Sequence, residues 1–248
     1  MLLFFWGCQM CLEDNPCMIP MGQYHVVSPN PNPDKIWIFF HGWSGSPSQY
    51  IGKSYIDDVL VDKNVMLILP KGKGETWSMA NMGGEDSHRD EERFMLQVLD
   101  DIYRTRGGED LPIYMGGFSL GGALSEHLTC SSSLNIAGVY PISGGFWDPV
   151  PDSCSSGFDV RHVHGLNDTT WPFEGRRVGS GRQAHQEDIQ ALWKRIYSCD
   201  DDTYETMDGP LSCKVFTGCS KRVSWCTHSQ GHTRLSGWFS RMVASMEP

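Results

Sequence analysis

Short apolar runs alternate with longer amphipathic stretches along the chain. Five runs are almost continuously apolar and are predicted as buried strands, at residues 36–40, 65–69, 111–115, 136–142 and 160–164. Apolar residues recur at helical spacing in three further stretches, at residues 94–103, 189–197 and 238–246. Strands that alternate with helices predict an α/β protein, with a mostly parallel central sheet and helices on both faces.

Length and composition support this interpretation. The chain has 248 residues, of which 40% are hydrophobic and 20% are charged. These values fit one α/β domain with a substantial core and exclude global disorder. A formal net charge of −10, with no basic run, argues against binding to nucleic acid or to an anionic membrane. No stretch approaches the roughly 18–20 apolar residues that a membrane span requires.

A glycine-rich turn follows the strand predicted at 111–115. It contains the pattern G-x-S-x-G, from Gly117 to Gly121, where a strand should end and a helix begin. In this context a Cβ at either glycine would clash, and the strained turn exposes the serine Oγ. Ser119 is therefore predicted as a nucleophile, and the N–H of Leu120 as a donor to an oxyanion. The alternative is a plain glycine-rich turn.

Two later loops supply the acid and the base that a serine nucleophile needs. Asp168 lies in the loop after the strand at 160–164, where α/β sites are built, and we predict it as the acid, although an ordinary Asx turn also fits. The weaker alternatives for the acid are Asp152, Asp159 and Glu174. His232, which precedes the last helix, is the predicted base. His228 directly follows a weak strand predicted at 223–227 and has strand-like surroundings, so it is assigned a structural role.

The loop after the first predicted strand, at residues 41–46, is rich in glycine and serine. Such a loop lets the backbone approach a substrate, so the N–H of Trp43 is the predicted second oxyanion donor, unless the loop is a plain turn. Tryptophans also lie in loops or at strand ends on the expected rim of the site, where each could equally be a core residue. Together they predict an aromatic or apolar cleft lined by Trp43, Trp77, Trp147 and Trp171.

These motifs together resemble the polyhydroxybutyrate depolymerase-like esterases of the α/β-hydrolase superfamily, a group that includes feruloyl and acetylxylan esterases. The resemblance is carried by His41-Gly42, the helix around Phe94, the turn from Gly117 to Gly122, the segment 141–147, the run from His164 to Asp168, and Gly231-His232. It implies the α/β-hydrolase fold and carboxylic ester hydrolysis by Ser119, Asp168 and His232 without a cofactor. Similar proteins usually carry Trp-Pro shortly after the Gly-His pair, whereas residues 233–235 are Thr-Arg-Leu here. The substrate class is therefore left open.

The expected function is that of a serine carboxylesterase that works through an acyl-enzyme on hydroxyalkanoate oligomers or on feruloyl- or acetyl-type esters. The partner would be a small-molecule or oligomeric ester. The alternatives are a non-catalytic binding protein of the same fold, and a serine peptidase or amidase with the same triad. His162 and His164 share one face of a strand, a spacing that can bind metal. No cysteine or carboxylate set completes a site, so no metal is predicted.

Nine cysteines indicate an oxidising compartment, and their odd number leaves at least one without a partner or the pairing incomplete. We expect one or two disulfides to brace the loop that leads to His232. They would come from the C-terminal group Cys199, Cys213, Cys219 and Cys226. Near the N-terminus, a short disulfide with Cys11 or Cys17 is favoured over a redox or zinc pair of Cys8 and Cys11.

The apolar start of the chain fits two interpretations about equally well. One is the tail of a secretory or lipoprotein leader, and the other is a frayed start or a misplaced initiator. Residues 1–20 are therefore expected to be a leader remnant or an N-terminal extension with cysteines. Residues 21–248 are expected to form a single α/β-hydrolase catalytic domain. The expected location is secreted or periplasmic, with a lipid anchor as one alternative.

Overall fold

The computed structural model describes residues 15–84 and 86–246. The strands are β1 (Cys17–Ile19), β2 (Gly22–Val27), β3 (Lys35–Phe40), β4 (Val65–Pro70), β5 (Ile113–Phe118), β6 (Ile136–Ile142), β7 (Asp159–Gly165), β8 (Arg177–Val178), β9 (Gly181–Arg182), β10 (Thr203–Asp208), β11 (Leu211–Phe216) and β12 (Val223–His228). The α-helices are α1 (Ser54–Asp62), α2 (Glu91–Arg106), α3 (Leu120–Ser131), α4 (Gln186–Ile196) and α5 (Trp238–Ala244), and a 3-10 turn covers Pro47–Gln49.

One large sheet carries the site. Its strand order is β1-β2-β4-β3-β5-β6-β7-β12-β11-β10, while β8 and β9 form a separate ribbon. The six strands from β4 to β12 in this order are parallel to one another, and the outer pairs are antiparallel. The predicted sheet, mostly parallel at its centre, is confirmed. The carboxyl ends of β3, β5, β7 and β12 therefore meet at one edge, where the predicted site residues follow them.

The five predicted strands correspond to β3 to β7. The prediction at 136–142 matches β6 in full, whereas β5 runs to Phe118, three residues beyond its predicted end. Gly116 and Gly117 pair with Tyr140 and Pro141 of β6, and an apolar pattern does not register glycines as strand residues. The sheet therefore extends to the residue before Ser119.

Side chains of β3 alternate between the two faces of the sheet. Ile36, Ile38 and Phe40 pack in one cluster with residues of α2 and α3. Trp37 and Phe39 pack in another cluster with residues of α1 and α5. Helices thus cover both faces, as predicted. The N-terminus of α2 is capped by the Asp90 side chain, which accepts the N–H of residue 93 at 2.9 Å.

Several elements were not predicted. Strand β1 lies within the segment 1–20 that was expected to be an extension, and it pairs with β2. The hairpin of β10 and β11 extends the far edge, and β10 is exposed over most of its length. None of the helices within the described ranges has the length and apolarity needed to span a membrane.

Two disulfides form within the C-terminal group of cysteines, as expected, and a third bridge, outside that group, was not predicted. The described bridges are Cys130–Cys154, Cys199–Cys219 and Cys213–Cys226. The last bridge joins directly paired positions of β11 and β12, and β12 leads into the loop of His232. Cys17 is also disulfide-bonded, while Cys8 and Cys11 lie outside the described residues. These bridges are consistent with an extracellular location.

Candidate active site

Ser119 occupies the sharp turn between β5 and α3. Its backbone has φ 57° and ψ −122°, which is rare for a residue with a side chain. The flanking glycines leave no room for a side chain: a Cβ on Gly117 would lie 2.2 Å from the carbonyl oxygen of Gly121, and one on Gly121 would lie 2.2 Å from that of Phe40. This close approach of strand and helix is the strained turn that the motif predicts.

Asp168 and His232 meet beside this turn. His232 Nδ1–H donates to Asp168 Oδ2 at 2.7 Å, while Oδ1 accepts the backbone N–H groups of Thr170 at 2.9 Å and Trp171 at 2.8 Å. The Asp168 side chain is fully buried, and burial acts to raise its pKa. The hydrogen bonds from His232 and Trp171 and the nearby histidine charges outweigh burial and lower the pKa of Asp168 below its usual value.

The His232 ring is held close to the turn that carries Ser119. Its centroid lies 4.8 Å from that of Phe118, the residue that precedes Ser119. The loops of the acid and the base are joined by backbone hydrogen bonds, from Leu166 N–H to the His228 carbonyl at 2.8 Å and from the N–H of residue 167 to the carbonyl of residue 230 at 3.2 Å. The structure thus joins Asp168 to His232 and places the His232 ring beside the turn that carries Ser119.

The alternative acids lie elsewhere. Asp159, at the opposite end of β7, forms an ion pair with Arg222 at 2.9 Å, and Asp152 and Glu174 are exposed. His228 is buried at the end of β12, and its Nδ1 accepts the N–H of residue 230 at 3.2 Å.

The loop after β3 passes directly beside Ser119. A Cβ on Gly42 would lie 3.3 Å from the Cβ of Ser119. Within the described parts of the chain, the Trp43 N–H has no hydrogen-bond acceptor, and its side chain is 61% exposed. His41 Nδ1–H donates to the Gly42 carbonyl at 2.8 Å, and its Nε2 accepts the N–H of Gly72 at 3.0 Å. Burial lowers the pKa of His41 to about 4, so the imidazole is neutral and its donor direction is fixed.

Trp77 does not line the cleft, contrary to the sequence prediction. It is fully buried, and its indole N–H donates to the His41 carbonyl at 2.8 Å. Its ring packs against His41 and Phe40, with centroids 4.7 Å and 5.4 Å away. Trp77 therefore stabilises the loop of the predicted oxyanion donor, because its indole N–H is bonded to the backbone of that loop and does not face the cleft.

The other three predicted tryptophans do line a cleft that contains Ser119. A cleft of about 380 Å³ opens at Ser119 and Leu120. Trp147 and Trp171 form one wall, edge to face, with ring centroids 5.5 Å apart. The rest of the lining consists of Trp43, Met82, Gly83, Gly84, Thr170, Arg176, Val178 and Gln183.

Several of these lining residues were missed because they lie in or next to the short β8–β9 ribbon. A Cβ on Gly83 would lie 1.8 Å from the Val178 carbonyl oxygen, so the ribbon and the segment before α2 are in direct contact. Two glycines, Gly179 and Gly181, mark its turn and are the signal that could have indicated it. Gln183, which bridges to Trp147, completes this side of the cleft.

Comparisons with known proteins agree with this architecture. The acetyl xylan esterase from Aspergillus awamori matches with a TM-score of 0.62 over 91% of this chain and 94% of its own, at 14% identity. The Bacillus cereus carboxylesterase matches with a TM-score of 0.56 over 92% and 94%, at 13% identity. The chain has the α/β-hydrolase fold.

Sequence comparison narrows the resemblance further. The chain is 29% identical over 175 residues to a probable feruloyl esterase C from Aspergillus clavatus, and 26% identical over 172 residues to feruloyl esterase C from Emericella nidulans. Each alignment covers 68% of this chain but only 57% of the relative, so the chain spans little more than half the length of these proteins. No family model matches. The chain therefore has the α/β-hydrolase fold and is similar in sequence to feruloyl esterase C over about two thirds of its length.

Proposed function

We propose that the protein is a serine carboxylesterase in which Ser119 is the nucleophile, His232 the base and Asp168 the acid. The observation that supports this most directly is the strained backbone of Ser119 next to the Asp168–His232 hydrogen bond. A plain glycine-rich turn would not need a buried carboxylate and an imidazole beside it.

The reaction follows from the chemistry of these groups. His232 takes the proton of Ser119 as the serine Oγ attacks the ester carbonyl, and the N–H groups of Leu120 and Trp43 donate to the oxyanion. Asp168 holds the imidazole in the Nδ1–H tautomer and stabilises the imidazolium. The imidazolium then protonates the leaving alcohol, and water cleaves the acyl-enzyme by the same route.

We propose further that the acyl group is aromatic. Two observations support this: the edge-to-face pair of Trp147 and Trp171 beside Ser119, and the sequence similarity to feruloyl esterase C. Aromatic contacts of this kind contribute about 0.5–1.5 kcal/mol beyond the buried area.

Replacement of the nucleophile tests the activity. Ser119→Ala should lower kcat for p-nitrophenyl acetate and methyl ferulate by at least about 10⁴-fold, because the acyl-enzyme cannot form. Ser131→Ala, at an exposed position of the same helix, is the matched control and should retain full activity. Turnover by Ser119→Ala comparable with the control would exclude the proposal.

A substrate panel tests the acyl group. Wild-type protein should hydrolyse methyl ferulate with a higher kcat/KM than acetylated xylan or hydroxybutyrate oligomers. Trp147→Leu should reduce kcat/KM for methyl ferulate about 5- to 10-fold and leave p-nitrophenyl acetate nearly unchanged, because a small acyl group does not reach the tryptophan pair. An equal loss on both substrates would count against an aromatic acyl site.

A further inference from the structure

A second group of titratable side chains lies buried behind the triad, and the proposed reaction does not use it. Glu126 of α3 and His162 and His164 of β7 are fully buried. Glu126 Oε1 lies 3.3 Å from His162 Nδ1, and His162 Nε2 lies 3.1 Å from His164 Nδ1. His164 Nε2 then lies 2.8 Å from the carbonyl oxygen of Trp171. The three side chains form one continuous chain from the nucleophile helix to the acid loop.

The carbonyl at the end of this chain sets the direction of every hydrogen bond. A carbonyl only accepts, so His164 Nε2 carries the proton and donates to Trp171. When His164 is neutral, its Nδ1 must accept, and His162 Nε2–H is the donor. His162 Nδ1 and Glu126 Oε1 then share one proton between them.

That proton resides on Glu126 near neutral pH. Glu126 Oε2 has no hydrogen-bond partner among the described residues, and an anionic carboxylate left in that condition would be strongly disfavoured. The oxygen that faces His162 also accepts the indole N–H of Trp193 at 3.3 Å, which a carboxylic acid hydroxyl permits. Burial raises the pKa of Glu126 to about 8 and lowers that of His162 to about 3 and that of His164 to about 4.

The chain ends on the residue that holds the catalytic acid. Trp171 donates its N–H to Asp168 Oδ1 at 2.8 Å and accepts from His164 through its carbonyl. His164 Nε2 also lies 3.8 Å from Asp168 Oδ2, the oxygen bonded to His232. The tautomer of His164 therefore affects both the position of the acid loop and the electrostatic potential at the Asp168 carboxylate.

We propose that Glu126, His162 and His164 form a proton-directed chain that holds the Asp168–Trp171 loop in place, and that loss of the Glu126 proton releases that loop. The three side chains are positioning residues, and their effect on catalysis rests on the proposed function. Nothing in the triad itself requires them, because they do not touch the reacting atoms.

Loss of one proton reverses the donor and acceptor in each hydrogen bond between the three side chains. The Glu126 proton moves to His162 Nδ1, the proton of His162 Nε2 moves to His164 Nδ1, and the proton of His164 Nε2 leaves to solvent. The total falls from three protons to two, and both imidazoles end in the other tautomer. His164 Nε2 then presents a lone pair to the Trp171 carbonyl, so the hydrogen bond that holds the loop is lost.

Among the described residues, the other titratable groups near Glu126, His162 and His164 are few. His164 faces His162 on its own strand, Asp168 in the acid loop and His232 in the base loop. His228, at the end of β12, also interacts electrostatically with Asp168. Trp225 of β12 stacks on His162 with ring centroids 3.8 Å apart, and Trp193 of α4 covers Glu126; neither carries a charge.

The pH profile of Glu126→Gln tests this assignment. Glutamine can donate to His162 Nδ1 as the protonated acid does, but it cannot lose that proton. Wild-type kcat should fall on an alkaline limb with a midpoint near pH 8, and Glu126→Gln should move that limb upward by at least one pH unit. Glu187→Gln, at an exposed position of α4, should keep the wild-type profile. An alkaline limb that is the same in Glu126→Gln and wild type would overturn the proposal.

Imidazole ¹⁵N NMR gives a readout that needs neither activity nor a variant. In wild-type protein, His162 and His164 should both show the Nε2–H tautomer at pH 6 and the Nδ1–H tautomer above the transition. Unchanged tautomers up to pH 10 would overturn the proposal even if the protein is an active esterase. If the protein hydrolyses no ester but the tautomers reverse, the proposed function fails while the chain stands as a structural device.

Discussion

Asp168→Asn isolates the contribution of the acid with little change in shape. Oδ1 of Asp168 accepts two backbone N–H groups, from Thr170 and Trp171, at 2.9 and 2.8 Å. The asparagine oxygen must take this position, since those two donors need an acceptor. The amide NH₂ group then replaces Oδ2, 2.7 Å from His232 Nδ1. A donor there forces Nδ1 to accept and puts the ring proton on Nε2, so His232 can no longer take the proton of Ser119.

The expected fall in kcat follows from the loss of His232 as a general base. The same replacement in a serine protease triad lowers kcat about 10⁴-fold, which corresponds to about 5.5 kcal/mol of transition-state stabilisation. The folded state loses only one charge-assisted hydrogen bond, worth about 1.5–3 kcal/mol. We therefore expect kcat for p-nitrophenyl acetate at pH 7 to fall about 10⁴-fold in a protein with native circular dichroism and a modestly lower Tm.

The control is Asp152→Asn, which replaces an exposed acid and should leave both kcat and Tm unchanged. If Asp168→Asn costs less than 10-fold in kcat while the protein remains folded, the reasoning about tautomers is refuted, and another acid must orient His232.

Other parts of the account predict changes in stability. Gly117→Ala should lower the free energy of unfolding by about 1–3 kcal/mol or more in urea titrations, because its Cβ would lie 2.2 Å from a backbone oxygen; an unchanged value would show that the turn is not tight. Replacement of both Cys130 and Cys154 by serine should cost about 3 kcal/mol, given their separation of 24 residues; a loss below 1 kcal/mol would contradict this. Stability should also fall as the pH drops from 6.5 towards 4, because the pKa values of the buried His41, His162 and His164 are lowered and the unfolded chain takes up protons that the folded protein does not. Each histidine contributes up to about 1.4 kcal/mol per pH unit, and the raised pKa of Glu126 offsets only part of this, so a stability that rises on acidification would contradict the assignment.

The centre of the fold could be predicted from the sequence because its strands are buried on both faces. Such strands are continuously apolar, and β6 matched its prediction in full. The outer strands of the sheet have no continuous apolar run by which they could be recognised. Strand β10 has mainly polar or charged residues and is exposed, so its pattern does not differ from that of a loop. Helix α1 buries only Ile56 and Leu60, too few for a recognisable stripe.

The candidate triad residues could be located from the sequence because each belongs to a local motif, whereas their surroundings depend on contacts between distant segments. Trp77 illustrates this: its position in a loop was correct, but the direction of its indole depends on His41, 36 residues away. The buried chain behind Asp168 is similar. The shared face of His162 and His164 could be predicted from their spacing, but their partner Glu126 comes from another helix.

Covalent labelling of the nucleophile tests the central claim most directly. Wild-type protein treated with a fluorophosphonate should gain one adduct, and peptide mass spectrometry should place it on Ser119. His232→Ala should slow the labelling by at least about 10²-fold, because general-base assistance is lost. An adduct on a different serine, or labelling of Ser119 at the same rate without His232, would contradict the account.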